Sequence, residues 1–175
     1  MHGNKKFNRY NLNGDFGIGY TLKNEEFYFD LEDYELIKNS CWYIEIGGRV
    51  CARNPNNKTP LKLHRIVMHI EDSSFEIDHI NHNQWDNRKS NLRVCLHKEN
   101  LKNTKVPKTN TTGYKGVYLR SDTNRYMARI ESDGNIKNLG CFDTIEEALI
   151  ARLKAEKELF GSFSSQKQLF EQYNI

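Results

Sequence analysis

An α+β chain built from small modules is what this sequence predicts. The modules are a small mixed N-terminal region, a ββα core, and a three-stranded antiparallel sheet packed on one helix. Three observations point there. Short stretches of alternating apolar and polar residues, many bounded by Gly, Asn or Asp, recur as strands. Helical patterning is brief everywhere except in one long run after Thr144. The composition is also thin in core material for 175 residues, with 37% hydrophobic and 28% charged residues and a mean hydropathy of −0.80. Small modules bury a smaller share of their surface, so several thin cores suit this composition better than one large one.

Taken in order, residues 1–60 predict strands at 17–20 and 26–30. A helix follows over 31–37, with Tyr34 and Ile37 on one face, and then a hairpin of 41–46 and 49–53 around Gly47-Gly48. No catalytic constellation stands out here; packing, and some contact with a nucleic-acid backbone, are the expected jobs. Residues 61–104 predict a short helix or strand at 63–68, a strand at 75–80, a polar loop at 81–90, a strand at 91–94 and a helical turn from 98 to 103, a ββα outline. Residues 105–112 lack periodicity and are basic, as a linker would be. Residues 113–163 predict strands at 114–120, 125–131 and 135–142, with Asp133-Gly134 as a hairpin turn. Thr144-Ile145-Glu146-Glu147 then reads as a capping box opening a helix with Ala148, Ala151 and Ala155 on one face. Residues 164–175 are expected as a tail.

The formal net charge is only +3, but its distribution is uneven. Between residues 22 and 45, Glu25, Glu26, Asp30, Glu32, Asp33, Glu35 and Glu45 face Lys23 and Lys38. From 102 to 130 the balance reverses, with Lys102, Lys105, Lys108, Lys115, Arg120, Arg125 and Arg129 against Asp122. Such a stretch suits a polyanion, although a solvated loop and sheet face would look the same. Cys41, Cys51, Cys95 and Cys141 are scattered and form no CxxC pair, which argues against a structural zinc and against a disulfide framework. Met1–Lys6 starts no apolar signal region, and no run approaches the roughly 20 apolar residues of a membrane span. An intracellular protein without a membrane or obligate protein partner, acting as a monomer, is the expectation.

Phosphodiester hydrolysis needs an activated water, charge neutralisation at the phosphate and stabilisation of the departing 3′ oxygen. A histidine takes a water's proton near neutral pH, and a carboxylate with an amide oxygen suits a hard cation. Asp78 and His79 are neighbours on a predicted strand, so their side chains point to opposite sides. Asn91 lies twelve residues beyond His79, and Asn100 nine further on. Together with Leu63-His64-Arg65 and the block Asp86-Asn87-Arg88-Lys89-Ser90-Asn91-Leu92-Arg93, this pattern resembles the HNH endonucleases. It resembles the branch with Asn in the last position, and within it most closely the homing endonucleases of phages and mobile introns. The resemblance covers about 64–103. It implies a ββα-metal nuclease fold, Asp78 and Asn100 as metal ligands, His79 as general base and Asn91 as a brace for the loop. It also makes Mg²⁺ the expected metal, with Mn²⁺ the alternative, because Asn100 stands where many members carry His. His64 is a candidate phosphate contact or a packed histidine.

In the C-terminal module Val117 and Leu119 alternate with Tyr118 and Arg120, while Tyr126, Ala128 and Ile130 alternate with Arg125, Met127 and Arg129. One face is apolar; the other carries arginines and an aromatic, as a sheet lying in a DNA groove would. The segments 113–118, 126–130 and 139–148 resemble the APETALA/ERF-type DNA-binding domain, almost continuously over 110–162. That resemblance implies double-stranded DNA as partner and Lys115, Tyr118, Arg120, Arg129 and Asn138 as contacts. Tyr118, Arg129 and Asn138 depart from the usual plant residues, so no plant-type sequence preference carries over. The reading is a metal-dependent DNA endonuclease, placed in a bacterial cytoplasm if phage-encoded. The alternative is a non-cleaving sequence-specific DNA-binding regulator with a structural HNH-like module.

Overall fold

In the computed structural model, which describes residues 7–56 and 58–175, the chain divides into two compact units, Met1–Leu96 and His97–Ile175. The reading of Met1–Lys6 lies outside the described residues. The architecture is α+β, several small antiparallel sheets with few helices, as expected.

The first unit begins with an antiparallel sheet in the order β1 (Arg9–Asn11), β2 (Gly17–Tyr20), β3 (Glu26–Phe29). Gly17 sits opposite Phe29 and Gly19 opposite Phe27. Both positions must be glycine, because a Cβ on Gly19 would lie 2.1 Å from Phe27 Cζ and one on Gly17 2.3 Å from Phe29 Cζ. The phenylalanine rings lie across the bare strand and are fully buried, each contributing about 1.5–3 kcal/mol by leaving water. A 3₁₀ turn at Leu31–Asp33 leads into α1 (Tyr34–Ile37), one turn long. Trp42 then donates its indole N–H to the Ile37 carbonyl (2.9 Å), and Asn8 bonds both the N–H and the carbonyl of Trp42. A second sheet runs β4 (Trp42–Ile44), β5 (Val50–Ala52), β6 (Leu61–Lys62), followed by α2 (Leu63–Val67). The last sheet pairs β7 (Glu76–His79) with β8 (Leu92–Cys95).

One core joins all of these. Phe27, Phe29, Ile37, Trp42, Val50, Ala52, Leu63, Val67, Ile77 and Leu92 pack together. The expected boundary at residue 60 therefore separates nothing; residues on both sides of it fill a single interior too small to be split. β1 was also missed, because three residues of mixed polarity carry no periodic signal.

The second unit opens with α3 (His97–Asn100) and a 3₁₀ turn at Leu101–Asn103. The expected division at 104/105 falls inside this unit, which begins at His97. Its sheet has the order β11 (Asn135–Phe142), β10 (Tyr126–Ser132), β9 (Val117–Leu119), with α4 (Ile145–Phe160) packed against it. The capping box forms as read: Glu147 N donates to Thr144 Oγ1, and Thr144 N donates to Glu147 Oε2, both at 3.2 Å. Val117, Ala128 and Ala148 are fully buried where helix meets sheet. Leu119, expected on the packed face, is exposed at the end of β9. Within 105–112, Asn110 imposes order: its Oδ1 accepts from the N–H groups of Thr112 and Gly113, and its Nδ2 donates to the carbonyls of Tyr114 and Val117. Nor is 164–175 a loose tail. A helix, α5 (Gln168–Gln172), seats Phe170 against Leu149 and Leu153 of α4.

Candidate active site

The chemistry-bearing residues of the first unit surround the loop between β7 and β8. Asn91 closes this loop at both ends. Its Oδ1 accepts from Asn81 N (3.0 Å), its Nδ2 donates to the Asp86 carbonyl (2.8 Å), and its own carbonyl accepts from Ile80 N (2.9 Å). Asp86 is buried and receives both arms of Arg88 at 2.7 Å. Burial pushes its carboxyl up, but the Arg88 guanidinium, with Asn81, outweighs this and holds it below the ordinary range. The loop is then sewn to the N-terminal sheet. Tyr28 N donates to the Trp85 carbonyl, and Asn87 N to the Tyr28 carbonyl, both at 2.8 Å. Lys89 N reaches Asp30 Oδ2 (2.7 Å), and the Lys89 ammonium contacts Glu32 and Asp33. The acidic N-terminal stretch thus serves as a mooring for the loop.

Asp78 and His79 occupy successive positions on β7, 6% and 7% exposed. Asp78 lies opposite Arg93 on β8, which donates Nε (2.8 Å) and Nη2 (2.6 Å) to Asp78 Oδ2. The His79 ring meets His64 edge-on, centroids 5.4 Å apart. Burial lowers the His79 pKa; the Asn87 amide and the carboxylates of Asp78 and Asp86 pull the other way without cancelling it. His64, on α2, is pushed down to about 3, first by burial and then by His79. Both imidazoles are therefore neutral at neutral pH. Asp78, His79, Asn91 and His64 are brought together in the first unit, whereas Asn100 ends α3 in the second.

The five residues expected to contact DNA all lie in the second unit. Arg129 and Asn138 are cross-strand partners on β10 and β11, beside a bulge at Ala128/Arg129. The Arg129 guanidinium stands 5.2 Å over the Tyr118 ring, and Tyr118 pairs with Met127 across the strands. Arg120 is paired with Asp122. Lys115 is half-buried; its ammonium donates to the carbonyls of Lys102 (3.1 Å) and Thr104 (3.3 Å) and to the Thr104 hydroxyl (2.6 Å). Desolvation lowers its pKa, although Glu156 opposes this.

A family model described as HNH endonuclease matches residues 62–102, the stretch that spans α2, β7, the loop, β8 and α3. Protein 3.8 of Escherichia phage T7 is 33% identical over 91 residues, covering 51% of this chain and 74% of that protein. The chain carries an HNH endonuclease domain. A protein named as an uncharacterized HNH endonuclease, from Acanthamoeba polyphaga mimivirus, is 29% identical over 148 residues, 81% of this chain and 74% of its own length. No solved structure matches.

HNH nucleases generally depend on a divalent metal. In the first unit Asp78 offers a buried carboxylate. Among the described residues no three His, Cys, Asp or Glu side chains gather into a metal cage. Sequence reasoning missed Arg93, Arg88 and Lys89. Arg93 was findable: once 76–79 and 92–95 are paired antiparallel, it faces Asp78. The Lys89 mooring joins positions 56 and 57 apart in the chain and left no local signal.

Proposed function

We propose that this HNH endonuclease hydrolyses a phosphodiester bond of duplex DNA, with His79 as general base. The observation that carries the reading is the buried, neutral His79 beside Asp78 on a strand whose following loop Asn91 pins at both ends. A neutral imidazole can accept the proton of an attacking water, and burial, by lowering the His79 pKa, favours that form. Asp78 and Asn100 would hold the divalent cation, Mg²⁺ or else Mn²⁺. When bound, that cation supplies charge neutralisation at the phosphate and at the departing 3′ oxygen. Arg93 fixes where the Asp78 carboxylate stands. His64, neutral at working pH, would serve a phosphate as an N–H donor rather than as a charge.

The second unit is the proposed DNA-gripping module, of APETALA/ERF type, with Lys115, Tyr118, Arg120, Arg129 and Asn138 on or beside its polar sheet face. The enzyme would be of homing type, act as a monomer, and work in the cytoplasm of a bacterial host. The test is supercoiled plasmid incubated with the full chain in chelator, then with Mg²⁺ or Mn²⁺ restored. Nicking that appears only with metal is the expected result. Tight duplex binding without cleavage under every metal would instead favour the regulator, and preference for structured RNA over duplex DNA in a competition gel shift would refute the substrate class.

A further inference from the structure

The second unit contains a groove of about 650 Å³, lined by the 98–110 segment, by β9 and β10, and by α4. Among the described residues its lining carries Lys98, Lys102, Lys105, Lys115, Arg129 and Arg152 against Glu131 and Asp133. Arg152 is neutralised by Glu156, at 2.6 Å and likewise buried. Lys115 spends its ammonium on the Lys102 and Thr104 carbonyls and the Thr104 hydroxyl, so Lys98, Lys102, Lys105 and Arg129 are left in the lining with two carboxylates.

The groove is built rather than incidental. Arg152 is 2% exposed and donates Nε to the Lys115 carbonyl (3.1 Å); its Nη1 is buried and has no acceptor among the described residues. Glu156 in turn accepts from Gln166 Nε2 (3.0 Å) and from the Ser164 hydroxyl, and Gln166 Oε1 accepts from Lys115 N (2.8 Å). Gly116 lies at φ +76°, and a Cβ there would meet Arg152 Nε at 2.2 Å and the Arg129 carbonyl at 2.4 Å. Only glycine lets this wall approach the guanidinium so closely. Leu101, Pro107, Val117 and Phe160 add apolar surface beside the charges.

We infer that this groove is a phosphate subsite that seats the backbone of a DNA strand, lysines on the phosphate and apolar wall against the sugar. The shared chemistry is a phosphate oxygen accepting from lysine and arginine donors, which inorganic phosphate also offers. The apolar wall favours the diester of a strand over the free ion. The inference rests on the DNA-endonuclease reading and extends its DNA-gripping set, which already includes Lys115, Tyr118 and Arg129 of the lining, to Lys98, Lys102 and Lys105. Lys98 and Lys105 are exposed on its rim and belong to no catalytic assignment.

The test uses the full chain in chelator, so that binding is measured without cleavage. Affinity for a labelled duplex is followed against salt for wild type, for Lys98→Gln/Lys105→Gln, and for Lys154→Gln, which removes an exposed charge of α4 that does not line the groove. Each lysine–phosphate pairing removed flattens the logarithmic salt slope by about 0.9. The double variant should flatten it by up to about two, with Lys154→Gln unchanged. Amide shifts of Gly116 and Gly134 under duplex, or under inorganic phosphate against chloride at equal ionic strength, give the second readout. Shifts with both ligands identify phosphate itself as the determinant, and shifts with duplex alone identify the strand; either supports the site. Wild-type slope in the double variant, equal flattening in Lys154→Gln, or no shift with either ligand overturns it. Plasmid nicking by the same preparations is scored separately. Intact cleavage with an unaltered slope removes only the groove, whereas an absence of both DNA binding and cleavage in wild type removes the underlying reading.

Discussion

Replacing Asn91 with alanine tests how the site is held, and the cost follows from its two side-chain hydrogen bonds. The Asp86 carbonyl that accepts from Asn91 Nδ2 belongs to a residue 2% exposed. Stripped of its donor and shut off from water, it costs about 1–3 kcal/mol. The Asn81 N–H that donates to Asn91 Oδ1 belongs to an exposed residue and can turn to water, so its loss costs only about 0.5–1.5 kcal/mol. Together Asn91→Ala should destabilise the first unit by about 2–4 kcal/mol. The assay is urea unfolding followed by tryptophan fluorescence, which isolates this unit because both tryptophans, Trp42 and Trp85, lie within Met1–Leu96. For a urea slope of about 1–2 kcal/mol per molar, the midpoint falls by at least about 1 M. Cleavage should be lost under conditions where the variant is still folded, since the Asn91 side chain no longer ties Asn81, two residues past His79, to Asp86 farther along the loop. A midpoint within about 0.3 M of wild type, with cleavage retained, would show that Asn91 does not hold the loop.

Further outcomes follow from other interactions. Glu156→Ala strands the Arg152 charge in an interior where it is 2% exposed, and should cost about 3–5 kcal/mol, read as faster amide exchange along α4. Unchanged exchange would show the pair to be dispensable. Gly19→Ala drives a methyl into the Phe27 ring and should destabilise the first unit by about 1–3 kcal/mol in the same fluorescence assay; neutrality would mean the ring has room to move. The stability of the metal-free first unit should rise with pH from about 3 to the ordinary histidine range near 6.5, because there the unfolded chain binds a proton at His64 that the folded chain refuses. His64→Gln should flatten that rise, and a wild-type profile level across this window would contradict the buried neutral histidine.

Much of the fold was legible because its signals are local. Gly47-Gly48, Asp133-Gly134 and the Thr144 capping box mark turns and a helix start by short-range chemistry, and β11 falls on the expected residues 135–142. The pairing of Asp78 with His79 and the distant Asn91 were legible as a pattern of types and spacings. What sequence could not give is long-range assembly. One core joins Phe27 to Leu92, Lys89 reaches back to the acidic residues near position 30, and Phe170 folds onto α4. Arg152 and Glu156, four residues apart on α4, form a buried pair bonded to Lys115, Ser164 and Gln166 from distant parts of the second unit. Such placements depend on which surfaces meet, and no residue announces that on its own.

Whether His79 takes the proton of the attacking water is decided by single-turnover nicking of supercoiled DNA in Mg²⁺ by wild type and His79→Ala, with duplex affinity measured alongside. A general base contributes about 10²- to 10⁴-fold in rate, so cleavage should fall by at least the lower figure while affinity changes little. Cleavage by His79→Ala at the wild-type rate would contradict the account.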